Sequence, residues 1–186
     1  MPLRESIRWR SIEHGGLEQL RISEWDDGIK VRSTIVGAVG EVRHGVMYEV
    51  SLRPDWTFEA ILLQRTDGVM SVLRRGDGDR WFDMQAEELP ELSGCIDIDF
   101  EMTPFTNTLP IRRAPLQIGE TRHFRIAYIP ADTLEPFPIE QLYTRLDERL
   151  YRFETGDGSF TADISVDDHG LVTDYPGLFE RVPMLG

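Results

Sequence analysis

The sequence predicts a mainly β protein with a single large antiparallel sheet, barrel-like or strongly curved into a half-barrel, built from hairpins and with little helix. Two observations predict this fold. Apolar side chains repeatedly alternate with polar ones over short runs, which is typical of strands with one buried face. Gly and Asp stand between these runs, and they supply the positive φ angles that tight hairpins need. Strand runs do not alternate with long helices, which argues against a parallel α/β fold.

The strand runs follow one another along the whole chain. They cover residues 29–35, 46–52, 56–63, 96–102, 124–128 and 160–166. The predicted turns between strands are Asp27-Gly28, His44-Gly45, Asp67-Gly68, 76–78, 156–158 and 169–170. Many short strands joined by such turns favour a sandwich, a barrel or a strongly curved sheet.

Helix is predicted in two places only. Residues 85–92 form a short acidic candidate. Residues 138–150 have apolar side chains at helical spacing behind Pro138, a residue suited to a first helical turn. The same segment also fits a hairpin with strands around 142–146 and 151–153. Periodicity alone slightly favours the helix, and both alternatives stay open at this point.

Length and charge limit the classes of function. The chain has 186 residues, a length that fits one domain over residues 1–186, and its formal net charge is −13. This charge disfavours a nucleic-acid partner and adsorption to an anionic membrane. A single cysteine, Cys95, excludes an internal disulfide, and we expect it to be a buried thiol. The sequence contains no recognisable cofactor, metal or signal motif and no membrane-spanning run, so we expect no cofactor, no metal site and a cytoplasmic location.

Three carboxylates alternate along one predicted strand. Asp97, Asp99 and Glu101 project from one face, while Ile96, Ile98, Phe100 and Met102 occupy the other. One interpretation is a hard-cation site or an acid–base pair. The other, which we favour, is a solvated sheet face or pairing with arginines of neighbouring strands.

The segment 103–113, TPFTNTLPIRR, is the best local signal for a binding site. Its two prolines and its short polar side chains make a poor central strand and a poor helix. We therefore predict an ordered loop or edge strand with hydroxyl and amide groups facing outward. Those groups and two guanidinium groups are good donors for a sugar or an acidic head group. The alternative is a loop whose Thr and Asn side chains satisfy its own backbone.

Several segments together resemble a bacterial family named for glycolipid binding. The resemblance covers nearly the whole chain and is closest from Leu92 onward. It is carried by residues 93–99 (SGCIDID), 103–113, 141–144 (QLYT), 151–154 (YRFE) and 166–179 (VDDHGLVTDYPGLF). It implies a large antiparallel barrel or half-barrel similar to lipoprotein-localisation carriers, with a glycolipid as ligand. It also implies a hairpin, not a helix, at 138–154.

Three functions follow as hypotheses. The favoured one is non-enzymatic binding of an amphipathic ligand, such as a glycolipid, in the concavity of the sheet. Its predicted tail contacts are Trp9, Tyr48, Val50, Trp56 and Phe58, and its predicted head contacts are Thr106, Asn107, Thr108, Arg112, Arg113, Gln141 and Tyr143. The first alternative is a small-molecule enzyme that uses Asp97, Asp99 or Glu101 with Arg112 or Arg113. The second is a protein–protein interaction module without a cavity.

Overall fold

The structure, a computed structural model, describes residues 3–13, 15–39 and 42–183. Its strands, numbered in chain order, are β1 Arg4–Ser11, β2 Leu17–Trp25, β3 Gly28–Val39, β4 Val42–Leu52, β5 Phe58–Arg65, β6 Met70–Arg75, β7 Trp81–Phe82, β8 Asp97–Phe100, β9 Thr121–Ile129, β10 Phe137–Asp147, β11 Leu150–Thr155, β12 Thr161–Val166, β13 Val172–Tyr175 and β14 Phe179–Arg181. The helix α1 spans Thr108–Arg113, and short 3₁₀ helices span Asp77–Asp79, Pro90–Leu92 and Pro104–Asn107.

All fourteen described strands belong to one sheet. Their order is β7-β6-β5-β4-β3-β2-β1-β14-β13-β12-β11-β10-β9-β8. Each neighbouring pair is antiparallel except β8 and β9, which are parallel. The sheet is strongly curved, and it remains open because β7 and β8 do not pair with each other. The predicted mainly β half-barrel is therefore confirmed.

The strand alternation decides which side chains fill the inside of the curve. In β2, Leu20 and Ile22 are buried while Arg21 between them is exposed, and β3 follows the same pattern. The buried side chains form two hydrophobic clusters, one mainly from β1 to β6 and the other mainly from β9 to β14. Burial of apolar area at about 25 cal/mol per Å² holds these layers together.

Residues 138–154 form a hairpin, as the resemblance implied. Strands β10 and β11 are antiparallel, and Tyr143 lies opposite Phe153. The alternation of Gln141, Tyr143, Tyr151 and Phe153 places all four side chains on the buried face. Neighbouring strands β9 and β12 supply partners on both sides, so sheet pairing overrides the local helical spacing.

The segment 103–113 differs from its prediction. It is not an outward-facing loop or edge strand but a buried helical segment made of one 3₁₀ helix and α1. Thr103 accepts a hydrogen bond from the Phe105 N–H, and Pro104 occupies the first turn, where a missing N–H costs nothing. Phe105 and Leu109, four residues apart on one helical face, are fully buried inside the curved sheet.

Two smaller predictions also need correction. His44-Gly45 is not a turn, because both residues lie within β4 and pair with β3. The acidic helix predicted over 85–92 is reduced to the 3₁₀ helix Pro90–Leu92, and residues 85–89 are mostly extended or turn. The acidic residues of that stretch favour a helix by composition, but a helix there would have no apolar face to pack against the sheet.

Candidate functional site

A cavity of about 300 Å³ opens on the inner side of the sheet, between β8, β10, β11 and the β13–β14 turn. One part of its wall is polar and the other part is aromatic. Its lining residues are Glu13, Asp99, Glu101, Thr103, Asn107, Tyr128, Ile139, Gln141, Phe153, Thr155, Phe160, Tyr175, Leu178 and Phe179. This volume is at the lower end of the range found for small-molecule sites, roughly 300–1,000 Å³.

Asp99 is the centre of the polar wall. Its Oδ1 accepts a hydrogen bond from the Thr106 hydroxyl at 3.0 Å, and its Oδ2 accepts one from the Gln141 amide at 2.6 Å. Strand β8 brings Asp99 to this point, β10 brings Gln141, and the buried 3₁₀ helix brings Thr106. The carboxyl group is only partly buried and contributes to the cavity lining. Desolvation raises the pKa of Asp99, the bonds from Gln141 and Thr106 oppose this, and the charge of Glu101 adds to it.

Gln141 extends this hydrogen-bond network to Tyr143 and Asn107. The Tyr143 hydroxyl donates to Gln141 Oε1 at 3.4 Å and accepts from Asn107 Nδ2 at 2.8 Å. Tyr143 is fully buried, and burial together with the charge of Asp99 raises the pKa of its hydroxyl far above the ordinary range. Four of the predicted head-contact residues, Thr106, Asn107, Gln141 and Tyr143, are therefore brought together here.

Glu101 provides a second carboxylate in the cavity wall. Its Oε2 accepts a hydrogen bond from the Ala131 backbone N–H at 2.7 Å, which fixes the loop after β9 against the end of β8. Desolvation and the charges of Glu101 and Asp99 raise the pKa of Tyr128, whose hydroxyl stays protonated as a donor. The favoured prediction for the three carboxylates, a solvated face or arginine pairing, does not describe Asp99 and Glu101.

Four aromatic rings form the opposite wall. Phe153, Phe160, Tyr175 and Phe179 contact one another with centroid distances between 6.0 and 6.3 Å. Phe160 is 36% exposed and lies at the mouth, while the other three rings are at most 6% exposed. Aromatic faces in general bind sugar rings by stacking and cations by their quadrupole.

Asp97 does not line this cavity and is a structural residue. Its side chain is 0% exposed and its Oδ2 accepts two hydrogen bonds from Arg113, at 3.0 and 3.2 Å. Desolvation raises the pKa of Asp97, and the neighbouring Arg113 charge opposes that rise. This ion pair connects the end of α1 to β8, so the Arg113 guanidinium is bound to Asp97 and not to the cavity.

Arg112 also lies outside the cavity. Its guanidinium carbon is 3.9 Å from the centroid of the Trp56 ring, and it donates to the His169 carbonyl at 2.7 Å. Gly170 has a φ of +72°, and a Cβ there would lie 3.2 Å from Arg112 Cγ, so the backbone of this turn packs tightly against the Arg112 side chain. Thr108 is fully buried in α1 and its hydroxyl has no hydrogen-bond partner among the described residues.

The aromatic residues predicted to contact a ligand tail pack within the core. Trp9, Tyr48, Trp56 and Phe58 are between 0 and 4% exposed. Trp9 donates its indole N–H to the Val172 carbonyl at 2.8 Å, and Phe58 stacks on Trp81 at a centroid distance of 5.3 Å. The buried helical segment occupies the space beside them, so the inner side of β1–β6 is filled by the protein itself.

A second buried carboxyl group, Glu18, was missed by sequence reasoning. It is 3% exposed and accepts hydrogen bonds from the Ser33 hydroxyl at 2.6 Å and the Tyr48 hydroxyl at 2.7 Å. Its Oε2 has no hydrogen-bond partner in the described part of the chain. Desolvation raises the pKa of Glu18 to about 7. The signal was available, because the phase of Leu20 and Ile22 places Glu18 on the inner face.

Another depression, of about 400 Å³, lies on the outer face of β2–β5 and is mostly apolar. Met47 and Leu62 are its exposed apolar side chains. Its lining includes the ion pair of Arg32 and Glu49, joined at 2.7 Å. The described residues contain no cluster of His, Cys, Asp and Glu arranged to hold a metal ion. Within the same residues, none of the helices has the length and apolar character needed to cross a bilayer.

Fold and site together define a class of protein: an open, strongly curved antiparallel sheet with a small aromatic and acidic cavity on its inner side. A family model described as "Putative glycolipid-binding" matches residues 6–181, and the chain belongs to this family. The crystal structure of a DUF1089 family protein from Pseudomonas aeruginosa is similar, with 36% sequence identity and a TM-score of 0.79, over 89% of this chain and 92% of the other. No curated protein matches the chain significantly. The family resemblance inferred from sequence is thus confirmed.

Proposed function

We propose that the protein binds, without chemical conversion, the polar head of an amphipathic ligand such as a glycolipid, and that the head occupies the cavity beside Asp99. The observation that carries this proposal is the composition of the cavity wall. Carboxylate and amide groups of Asp99, Glu101, Gln141 and Asn107 lie opposite a cluster of aromatic rings. Sugar hydroxyls need such hydrogen-bonding groups, and the apolar faces of a sugar ring need such rings.

The size of the cavity fixes which part of the ligand it holds. A volume of about 300 Å³ suits a small head group but not a head group together with a long acyl chain. In the proposed complex the tail leaves the cavity past the partly exposed apolar side chains Ile139, Phe160 and Leu178. It does not lie among Trp9, Tyr48, Trp56 and Phe58, where the sequence-based hypothesis placed it, because those side chains are packed.

Thr106, Asn107, Gln141 and Tyr143 have two different roles in this proposal. Gln141 and Asn107 line the cavity and contact the head. Thr106 and Tyr143 hold Asp99, Gln141 and Asn107 in place by hydrogen bonds. The predicted head contacts Thr108, Arg112 and Arg113 lie elsewhere and have no part in the proposed binding. Cytoplasmic location and the lack of a nucleic-acid partner stay predictions from composition.

The test is binding of octyl glucoside, followed by NMR chemical shifts of backbone amides. Phe160→Ala removes an exposed ring from the cavity mouth, whereas Trp25→Ala removes a comparably exposed ring at the end of β2, outside the lining. We expect shifts around Asp99 and Gln141, weaker binding by Phe160→Ala and unchanged binding by Trp25→Ala. Native mass spectrometry of the purified protein adds a second measurement, the mass of any retained lipid. Absence of retained lipid together with absence of shifts would refute the proposal.

One observation favours a second function, acid–base catalysis by Asp99 and Glu101 on a small polar substrate. Both carboxyl groups line one cavity, and desolvation raises the pKa of Asp99, as is common for catalytic acids. The arginines of the original hypothesis are absent from this cavity, since Arg113 pairs with Asp97 and Arg112 stacks on Trp56. Release of p-nitrophenol from p-nitrophenyl glycosides by the wild type but not by Asp99→Asn would support catalysis. No release by the wild type would exclude this activity for those substrates.

A further inference from the structure

We infer that the head group bound in this cavity carries a protonated amine, as in an amino sugar, and that anionic head groups are rejected. This inference rests on the proposed function and specifies its ligand. It combines two independent features of the wall: the carboxylates of Asp99 and Glu101, which have no cationic partner among the described residues, and a group of aromatic rings that lines the same cavity. Each feature favours an ammonium group, and no feature of the wall favours a phosphate or sulfate.

The charge of the cavity is one-sided. Asp99 and Glu101 line it, and none of the described lining residues is Lys or Arg. The hydrogen-bond partners of the Asp99 carboxylate are neutral, the Gln141 amide and the Thr106 hydroxyl. A bound ammonium group would supply the missing positive charge and would donate up to three hydrogen bonds to carboxylate and amide oxygens.

Several carboxylates elsewhere in the described structure have an arginine partner: Asp97 is paired with Arg113, Asp163 with Arg152 and Asp167 with Arg181. The chain has 33 acidic and 20 basic residues, so many carboxylates have no such partner. Asp99 and Glu101 are two of these among the described residues, and they differ from an exposed carboxylate because they line a cavity that a cationic ligand would complete.

The aromatic wall favours the same chemistry. Phe153, Phe160, Tyr175 and Phe179 line one side of the cavity and pack against one another, and Phe160 is the most exposed of the four. The negative faces of aromatic rings attract ammonium groups. The same rings would give an anion no favourable electrostatic contact, and the carboxylates would repel it.

The experiment compares three octyl glucosides that differ only at C6, which carries an amine, a hydroxyl or a phosphate. Dissociation constants are measured by isothermal titration at neutral pH and low salt. We expect the amine form to bind about tenfold or more tightly than the hydroxyl form, and the phosphate form to bind more weakly than both. Added salt should reduce the preference, because ionic interactions at a partly open site are screened.

Two variants test the origin of the preference. Asp99→Asn should reduce the ratio between the amine and hydroxyl forms to about threefold or less, while Asp163→Asn, at an exposed carboxylate on β12, should leave it unchanged. If Asp99→Asn does not fold, Glu101→Gln gives the same comparison. Equal binding of the amine and hydroxyl forms by the wild type overturns this inference and leaves the proposed function standing. Failure of all three octyl glucosides to bind overturns both.

Discussion

Glu18 gives the sharpest prediction on stability, because it is an ionisable group buried without a cation. Its pKa rises from the ordinary 4.5 to about 7 in the folded protein. The folded state therefore binds the Glu18 proton more tightly than the unfolded state does. Protonation of Glu18 stabilises the folded state, and this contribution is complete below pH 4.5. As pH rises from 4.5 through 7, the proton is lost and the contribution disappears.

The magnitude follows from the difference between the two pKa values, about 2.5 pH units. At about 1.4 kcal/mol per unit, ionised Glu18 lowers the free energy of unfolding by about 3 kcal/mol at pH 8 relative to pH 4. The variant Glu18→Gln keeps an acceptor for the Ser33 and Tyr48 hydroxyls but never ionises. Its amide N–H₂ replaces Oε2, which has no partner, so part of the gain is lost to an unsatisfied donor.

The assay is urea unfolding of the wild type and Glu18→Gln between pH 4.5 and 8, followed by tryptophan fluorescence. We expect the variant to be more stable by about 1–3 kcal/mol at pH 8 and equal or less stable at pH 4.5. Glu180→Gln, at an exposed carboxylate paired with Arg10, is the control and should show no such pH-dependent difference. A constant difference between Glu18→Gln and the wild type across this pH range would show that Glu18 does not titrate there, and the reasoning would be refuted.

Two further predictions concern Arg113 and Cys95. Arg113→Ala should lower the free energy of unfolding by about 3 kcal/mol, because it leaves the fully buried Asp97 without its cation. The control variant Arg152→Ala, at an exposed ion pair, should lower it by at most about 1 kcal/mol, and equal urea midpoints for the two variants would contradict this prediction. Burial raises the pKa of the Cys95 thiol to about 11. At pH 8 this thiol should therefore react with Ellman's reagent about 100-fold more slowly in the folded protein than in urea. Equal reaction rates in the two states would show that the thiol is accessible in the folded protein.

The fold was largely predictable because its signal is local and repeated. Alternation such as Val46, Tyr48, Val50 and Leu52 states directly which side chains face inward, and all four are buried. The hairpin at 138–154 was ambiguous, since its apolar residues fit both periods. Only the pairing of β10 with β9 and β11, which is not local, decides it.

The site was predictable only in part, because burial of polar side chains depends on partners distant in sequence. Thr106 and Asn107 were recognised as candidates but were predicted to face outward. They are buried because Asp99 and Tyr143 meet them from β8 and β10. Sequence shows that such residues can hydrogen-bond, but it does not show which strand supplies the partner.

The buried helical segment explains why one end of the interior is filled while the other stays open. On one side Thr103 contacts the Tyr48 hydroxyl at 3.2 Å, which in turn binds Glu18. On the other side the Thr106 hydroxyl binds Asp99 at the cavity wall. An apolar helix could fill the same volume, but it would leave Asp99 without the Thr106 donor and the Tyr48 hydroxyl without its contact to Thr103, at a cost of about 1–3 kcal/mol for each unsatisfied group. The short polar residues of this segment therefore position the cavity wall as well as fill the core, which is why their unusual composition marks the site although they do not face solvent.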